Sequence, residues 1–504
     1  MDSSLWNTVS SSSRSRFIEE LAITVGYRKG QLYTIGIDIS AWIFDIQAML
    51  VSTATRGGNP ELRIIFYRLA RLSAIPVRPI FVFHGEELQA NQKGRRFEAH
   101  DHYLVRTTKA LLQTFGFPIH VAPVSAAAEL ARMNKDGIVH AIISDDFDVL
   151  VYGARTVLRM QTVLQTSARP FWKPTVAVLT ADSMHDDPRV RLSTGGLLLT
   201  AVLCSGNRDS AVGIHGRRPA YSISHALART HFGDSLLASA KKVGQDRAQS
   251  LNEWRSALKT ELRENTSGSL PMQLPNFADR IQDEFPDPSL LDSYIYPDTS
   301  WTSGSGTAPN VATRSPLDVA ALAKFCNEHF LFGSADDIVE KFCSVLWRGI
   351  GMDLLLRRTD PNPSPLLHHE IELFDILKIV RTRLHGSAEY LEYLVEADAS
   401  GLQDVVQSAL SDLEGSPPRS ASPFSLAVSS TIRTWLPGPL FQAAFPALVK
   451  PFHSDNGTSM LPSASNVIDL TESDDELDLS DVELEITGCH SDSDSIIDLV
   501  SDSD

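Results

Sequence analysis

Asp146 and Asp148 form a D-x-D pair in the turn "SDDFD", directly after the apolar run "VHAIIS". Asp38 ends a second such run, "YTIGID", and His84 follows a third, "PIFVF". In open α/β sheets ligands bind beyond the carboxyl ends of the strands. Carboxylates converging there are hard oxygen donors suited to Mg²⁺ or Mn²⁺. Two such ions can polarise a phosphodiester and generate hydroxide. A lone Asp at a strand end is more often a turn former or a helix cap. The D-x-D pair after an apolar strand favours the metal-site reading.

The elements that would position these residues alternate. The segments "YTIGID" (33–38), "RPIFVF" (78–83), "FPIHVAP" (117–123), "VHAIIS" (139–144) and "ARTVLRM" (154–160) read as strands. Between them, residues 59–74 carry apolar positions at helical spacing after a capping Asn59 and Pro60. Residues 101–115 and the Ala-rich "SAAAELARMN" read as further helices. This alternation predicts an α/β fold with a mainly parallel sheet. Residues 190–240 turn mostly helical, and 238–263 read as one basic amphipathic helix. Residues 265–315, rich in Ser, Pro, Gly and Thr, read as a linker or extended wrap. Residues 316–400 read as helical again.

The chain has 504 residues, 43% of them hydrophobic and 21% charged, enough for two or three ordinary domains. Its net charge is −17, but residues 466–504 hold 14 Asp and Glu and no Lys or Arg, so the body is close to neutral. Cys204, Cys326, Cys343 and Cys489 are too scattered for a disulfide framework or a zinc site, as in a reducing compartment. The N-terminus lacks the apolar segment of a signal peptide, and the longest apolar run, "GGLLLTAVLCSG", is too short to span a bilayer. The expectation is a protein with no membrane partner.

Six blocks, in order, resemble the XPG/flap-endonuclease family, most of all its fungal, Holliday-junction-resolvase-like branch. They are "IGIDISAWIF", "NPELRIIFYRLARL", "PIFVFHG", "KGRR", "VAPVSAAAELARMNKDGIVHAIISDDFDVLVYGA" and "GGLLLTAVLCSG". The resemblance covers residues 1–240 well and 316–400 weakly. It implies a PIN-like nuclease core that holds two divalent metals on about seven carboxylates and cuts branched DNA at flaps and junctions.

Carried over position by position, the resemblance keeps Asp38, Asp146 and Asp148 as catalytic metal ligands. It places His84, Ser125 and Ala127 where the family has carboxylates, and Arg208 at the last Asp, with Asp209 beside it. The family's Met-Gly-Ile-x-Gly-Leu-Trp start has become "MDSSLW". Two Mg²⁺ bring four positive charges that carboxylates must offset, and an arginine among the ligands opposes binding. Imidazole suits Mn²⁺ better than Mg²⁺. Glu129, one helical turn after Ser125, and Asp209 are the candidate replacements. The expectation is weak or single-ion binding of Mg²⁺ or Mn²⁺.

DNA contacts are expected from Lys93, Arg95 and Arg96, where the resemblance places a single-strand clamp, although a solvated basic turn has the same composition. "GIHGRR" resembles the family's helix-hairpin-helix loop, with Gly213, Gly216 and Arg217 in place and Arg218 at the third glycine. In the tail, "NVIDLTESDDELD" and "SIIDLVSDSD" share one plan, apolar residues around an Asp followed by acids and serines. Val467, Ile468 and Leu470, with Ile496, Ile497 and Leu499, look like SUMO-interacting motifs that would add a strand to a sheet edge. A generic acidic disordered tail is the alternative.

The expected organisation is a PIN-like core over 1–188, a helix-hairpin-helix-like DNA-binding region over 189–264 and a linker over 265–315. A mainly helical domain over 316–450 and a disordered acidic tail over 451–504 follow. The expected function is that of a nuclear, branched-DNA endonuclease of impaired activity in repair or recombination. The alternative is a catalytically dead junction-binding scaffold that recruits SUMO-modified partners.

Overall fold

The computed structural model describes residues 3–27, 32–50, 59–85, 99–160, 175–204, 218–303, 306–309, 311, 314–330, 332–359, 373–385, 390–411 and 431–455. The chain forms two compact units. One comprises residues 1–42, 76–102 and 116–315, the other residues 43–75, 103–115 and 316–504.

The first unit is built on a seven-stranded sheet. Its strands are β1 (Arg14–Phe17), β2 (Tyr33–Asp38), β3 (Val77–Phe83), β4 (Ile119–Val121), β5 (Ala141–Ile143), β6 (Thr156–Met160) and β7 (Thr175–Thr180). They lie in the order β1-β7-β6-β5-β2-β3-β4. The five strands from β6 to β4 run parallel, whereas β7 pairs antiparallel with β6 and β1 with β7. The α/β reading with a mainly parallel sheet therefore holds. All six residues of β2 are buried, as a central parallel strand requires. Pro79 is tolerated in β3 because pairing with β4 begins only at Phe81. The polar β1 and the Val-rich β7 are additions to the five strands read from the sequence.

The Ala126–Lys135 helix lies close on β2. A Cβ at Gly36 would stand 2.4 Å from a Leu130 methyl, so glycine sets how near helix and strand approach. At the far end of the helix, buried Asn134 ties three elements together. Its Nδ2 donates to the carbonyls of Val139 and His140 at 3.0 and 3.1 Å, and its Oδ1 accepts from the N–H of Arg155 and Thr156 at 2.7 and 3.0 Å.

The rest of this unit is helical. The Thr194–Cys204 helix crosses the Arg218–Ala228 and His231–Ala240 helices. A Cβ at Gly196 would meet the Ala228 carbonyl at 2.5 Å, and one at Gly195 the Gly233 carbonyl at 2.5 Å. The single basic helix expected over 238–263 is two helices. His231–Ala240 ends, the chain turns, and Gly244–Glu264 begins at Gly244 with φ +60°. Residues 265–315, read as a linker or extended wrap, are no free linker: Leu270, Ala278, Ile281, Leu291 and Tyr294 are buried in the same core as Trp6, Leu130 and Trp254. Apolar residues spaced through a Ser/Pro-rich stretch are enough to hold it down without long helices.

The second unit contains the Pro60–Ser73, Val319–His329, Ala335–Val345 and Trp347–Arg358 helices. Phe66 is its aromatic hub, with ring centroids 5.6–6.4 Å from Phe115, Phe330, Phe332 and Phe342. Asn59 stands at the N-cap of the Pro60–Ser73 helix, but its side chain makes no capping bond. It takes a left-handed conformation at φ 49°, and its amide donates to the His329 carbonyl at 3.0 Å. The helical expectation for 316–400 fails at Asp375–His385 and Tyr390–Asp398, which are strands. β8 (Asp375–His385), β9 (Tyr390–Asp398) and β10 (Thr431–Pro437) form an antiparallel sheet in the order β10-β9-β8. Tyr393 of β9 is fully buried, and its hydroxyl lies 2.8 Å from both His453 Nε2 and the Gln442 amide.

Candidate active site

The carboxyl ends of β2, β3 and β5 present the expected residues on one edge of the sheet. Asp38 closes β2 and is 1% exposed. Its Oδ1 accepts from the Ala41 N–H at 3.1 Å and its Oδ2 from the Ser144 hydroxyl at 3.3 Å. The Ser144 Oγ accepts in turn from the Asp146 N–H at 3.0 Å, and Asp146 Oδ1 from the Asp148 N–H at 3.1 Å. The "SDDFD" turn is thus wound on its own side chains, in the way short Ser and Asp side chains bond the backbone two residues on. Asp148 opens the short Asp148–Val151 helix, and its Oδ1 accepts from the Tyr294 hydroxyl at 3.3 Å.

Two residues missed in the sequence hold this turn from outside. The Trp6 indole N–H donates to the Asp145 carbonyl at 2.9 Å, and its ring meets Phe147 edge-on at 5.5 Å. Arg159 lies 4.4 Å over the same Trp6 ring and pairs with the exposed Asp145 carboxylate at 3.0 Å. Asp145 is therefore turned away from the Asp38 edge, toward Arg159.

His84, Ser125 and Ala127 have structural work of their own. His84 Nδ1 accepts from the Ala126 N–H at 3.0 Å, so the neutral imidazole carries its proton on Nε2. Its backbone N–H donates to Ser40 Oγ at 3.3 Å. Gly85 follows because nothing larger fits. Its N–H donates to the Val124 carbonyl at 2.9 Å, and a Cβ there would stand 2.1 Å from the Pro123 carbonyl. Ser125 is the N-cap of the Ala126–Lys135 helix and accepts from the Ala128 N–H at 3.4 Å. Ala127 is fully buried.

Tyr152 stands among these groups. Burial pushes its hydroxyl pKa well above the ordinary tyrosine value, the charges of Asp148 and Asp146 push it the same way, and a bond to Ser125 acts against them. Tyr152 therefore faces both carboxylates as a neutral phenol.

Glu129 is fully buried, with both carboxylate oxygens engaged away from the Asp38 edge. Oε1 pairs with His120 Nε2 at 2.9 Å, and Oε2 accepts from the Ser300 N–H at 2.9 Å. Burial alone would push its carboxyl up. The bonds from His120 and Ser300 together outweigh this and hold it below the ordinary glutamate value.

A hard divalent cation takes six or more oxygen ligands. Among the described residues no three His, Cys, Asp or Glu side chains are gathered to hold one ion. Asp38, Asp146 and Asp148 each already accept a hydrogen bond from the protein. The described side chains do not fit a two-ion centre. Arg208, Asp209, Lys93, Arg95, Arg96, Gly213, Gly216 and Arg217 lie outside the described residues, as do Val467, Ile468, Leu470, Ile496, Ile497 and Leu499. Arg218 begins the Arg218–Ala228 helix.

Comparison with known proteins points one way. The flap endonuclease GEN homolog 1 of Mus musculus is 28% identical over 150 residues, covering 26% of this chain and 16% of its own length. Flap endonuclease 1 of Chlamydomonas reinhardtii is 28% identical over 130 residues, covering 20% of this chain and 33% of its own. The chain thus spans a third or less of the length of these relatives. Among solved structures, the junction-resolving enzyme GEN-1 binding with cesium aligns with a TM-score of 0.66 at 25% identity, over 89% of this chain and 98% of that one. The Holliday junction-resolving enzyme GEN1 in complex with product DNA and Mg²⁺ shares the fold, with a TM-score of 0.65 at 24% identity over 90% of this chain and 99% of that one. No described helix is long and apolar enough to cross a membrane. Residues 116–207, which carry the Ser125-capped helix and the Asp146-x-Asp148 turn, match the XPG I-region, so this part of the chain is similar to the XPG/flap-endonuclease family.

Proposed function

We propose that this chain recognises branched DNA, flaps or junctions, as a structure-specific endonuclease-class protein whose own phosphodiester cleavage is weak. The observation that carries this reading is the division of labour at the strand ends. Asp38, Asp146 and Asp148 share the edge where a nuclease of this family does its chemistry. His84 and Ser125, at two positions where the resemblance puts carboxylates, serve the backbone of the Ala126–Lys135 helix, and Ala127 only packs. An edge that spends its polar groups on its own backbone has few oxygens left for ions.

Branched DNA enters the reading from the relatives: the GEN1 structures named above include a complex with product DNA. Phosphate contacts are assigned to Lys93, Arg95, Arg96, Arg217 and Arg218 and to the backbone at Gly213 and Gly216. Repair or recombination in the nucleus is the setting this predicts. The test incubates the purified protein with flap and four-way-junction DNA in Mg²⁺ and then in Mn²⁺, beside an Asp146→Ala/Asp148→Ala variant. Slow cleavage that disappears in the variant supports the reading, and cleavage at equal rates in both proteins sinks it.

A second reading, a non-catalytic junction-binding scaffold, is favoured by the engagement of Glu129 with His120 and Ser300, which takes the nearest replacement carboxylate out of play. It predicts tight junction binding with no cleavage in either metal. In either case the tail would join SUMO-modified partners through Val467, Ile468, Leu470, Ile496, Ile497 and Leu499. Unchanged SUMO pull-down after replacing Val467, Ile468, Ile496 and Ile497 by Ala would refute that assignment.

A further inference from the structure

Residues 287–303 run from the D-x-D turn back along the Ala126–Lys135 helix. Asp287 caps the Pro288–Ile295 helix by accepting from the Ser289 N–H at 2.8 Å. The Arg247 guanidinium grips Asp292 with both terminal nitrogens, at 2.7 and 3.3 Å. Ser300 donates its N–H to Glu129 at 2.9 Å, and the Trp301 ring lies 5.1 Å beneath the Arg132 guanidinium. Glu129 and Arg132 are three residues apart and so share a helix face. This strap is held at both ends, and between the holds it delivers Tyr294.

Tyr294 is only 8% exposed and packs beside Tyr152 with ring centroids 5.5 Å apart. Its hydroxyl is directed at Asp148 Oδ1, 3.3 Å away. The second carboxylate of the D-x-D pair is therefore flanked by two phenol rings and accepts a hydrogen bond where a cation would need a free oxygen. A hard cation binds through such oxygens and gives up its own water reluctantly. It would have to displace the phenol before reaching Asp148.

We propose that Tyr294 is a positioning residue that withholds Asp148 from divalent cations, held in place by the 287–303 strap. The proposal rests on the nuclease-family reading only for the choice of cation. The probe is Mn²⁺ itself, titrated into the full chain and followed by water-proton relaxation. Tyr294→Phe keeps the ring and removes only the donor. It should bind Mn²⁺ about tenfold more tightly than wild type, the scale of a hydrogen bond to a charged group. The gain should vanish in Tyr294→Phe/Asp148→Asn. A Tyr294→Phe protein that binds Mn²⁺ as wild type does, or a gain that survives Asp148→Asn, overturns the proposal. A purely structural tyrosine would lower the melting temperature and leave Mn²⁺ affinity unmoved. Affinity of the wild type for a four-way junction is measured separately without divalent cation. Its absence would sink the branched-DNA reading and leave the assignment of Tyr294 standing.

Discussion

His84 Nδ1 lies 3.0 Å from the backbone N–H of Ala126, so an imidazole at the end of β3 satisfies the first turn of the helix that Ser125 caps. The first N–H groups of a helix have no partner within it, and a buried one left unsatisfied is costly. The histidine therefore does structural work at a position where the resemblance puts a metal-binding Asp.

Replacing it separates these roles. His84→Leu should lower stability by about 1–3 kcal/mol, because Ala126 loses its acceptor in a buried setting. His84→Asp should cost less, since a carboxylate can accept the same bond and an anion is favoured at a helix N-terminus. Urea unfolding of the two variants checks the order. A Leu variant as stable as the Asp variant would show that the bond is unimportant.

Gly85 should be the least replaceable residue of the "FHG" turn. A Cβ there would stand 2.1 Å from the Pro123 carbonyl, a backbone atom with little room to move. Gly85→Ala should destabilise by about 1–3 kcal/mol, the usual scale for overpacking. Weakened protection of the Ala126 amide in hydrogen exchange would place the damage at the His84 bond.

Asn134 makes four hydrogen bonds to backbone groups of β5, β6 and their connections. Asn134→Leu keeps the volume and removes all four. At about 1 kcal/mol each, the loss should reach roughly 3–4 kcal/mol. A thermal scan giving less than a quarter of that would mean water or rearranged side chains take over the bonds.

The Glu129 cluster predicts an acid-sensitive strap. A carboxyl held below its ordinary pKa in the folded state binds fewer protons there than in the unfolded chain. Its stabilisation is complete above the ordinary glutamate value of about 4.3 and is lost as pH falls through the lower folded value. Glu129→Gln should be less stable than wild type by roughly 1.5–3 kcal/mol at pH 7, with the gap closing toward pH 3. A gap of constant size across that range would contradict the ionised pairing with His120 and Ser300.

Much of the first unit was legible because its signals are local. Buried parallel strands are continuous apolar runs, and β2, β3 and β5 announce themselves in "YTIGID", "PIFVF" and "AII". With the D-x-D turn and the capping Ser125, these runs determined the α/β class and the edge at which Asp38, His84, Asp146 and Asp148 meet. The second sheet was harder to read. "DILKIVRTRLH" and "YLEYLVEAD" mix β-branched and aromatic residues with Leu, Arg, Lys and Glu, which form helices equally well. Their pairing, with Asp375 opposite Asp398 and His385 opposite Tyr390, decides the matter.

What the sequence by itself determined is thus the nuclease-like sheet and the residues that line its edge. What only the tertiary structure decided is what those residues are bonded to. Ser144 reaches Asp38 across 106 positions, Ser300 reaches Glu129 across 171, and Tyr294 reaches Asp148 across 146. No spacing rule along the chain links such pairs. The first follows from the pairing of β2 with β5, and the other two from the packing of Leu291 and Tyr294 into a core that also holds Leu130 and Val149, which brings a Ser/Pro-rich segment with no catalytic signature against the carboxylates.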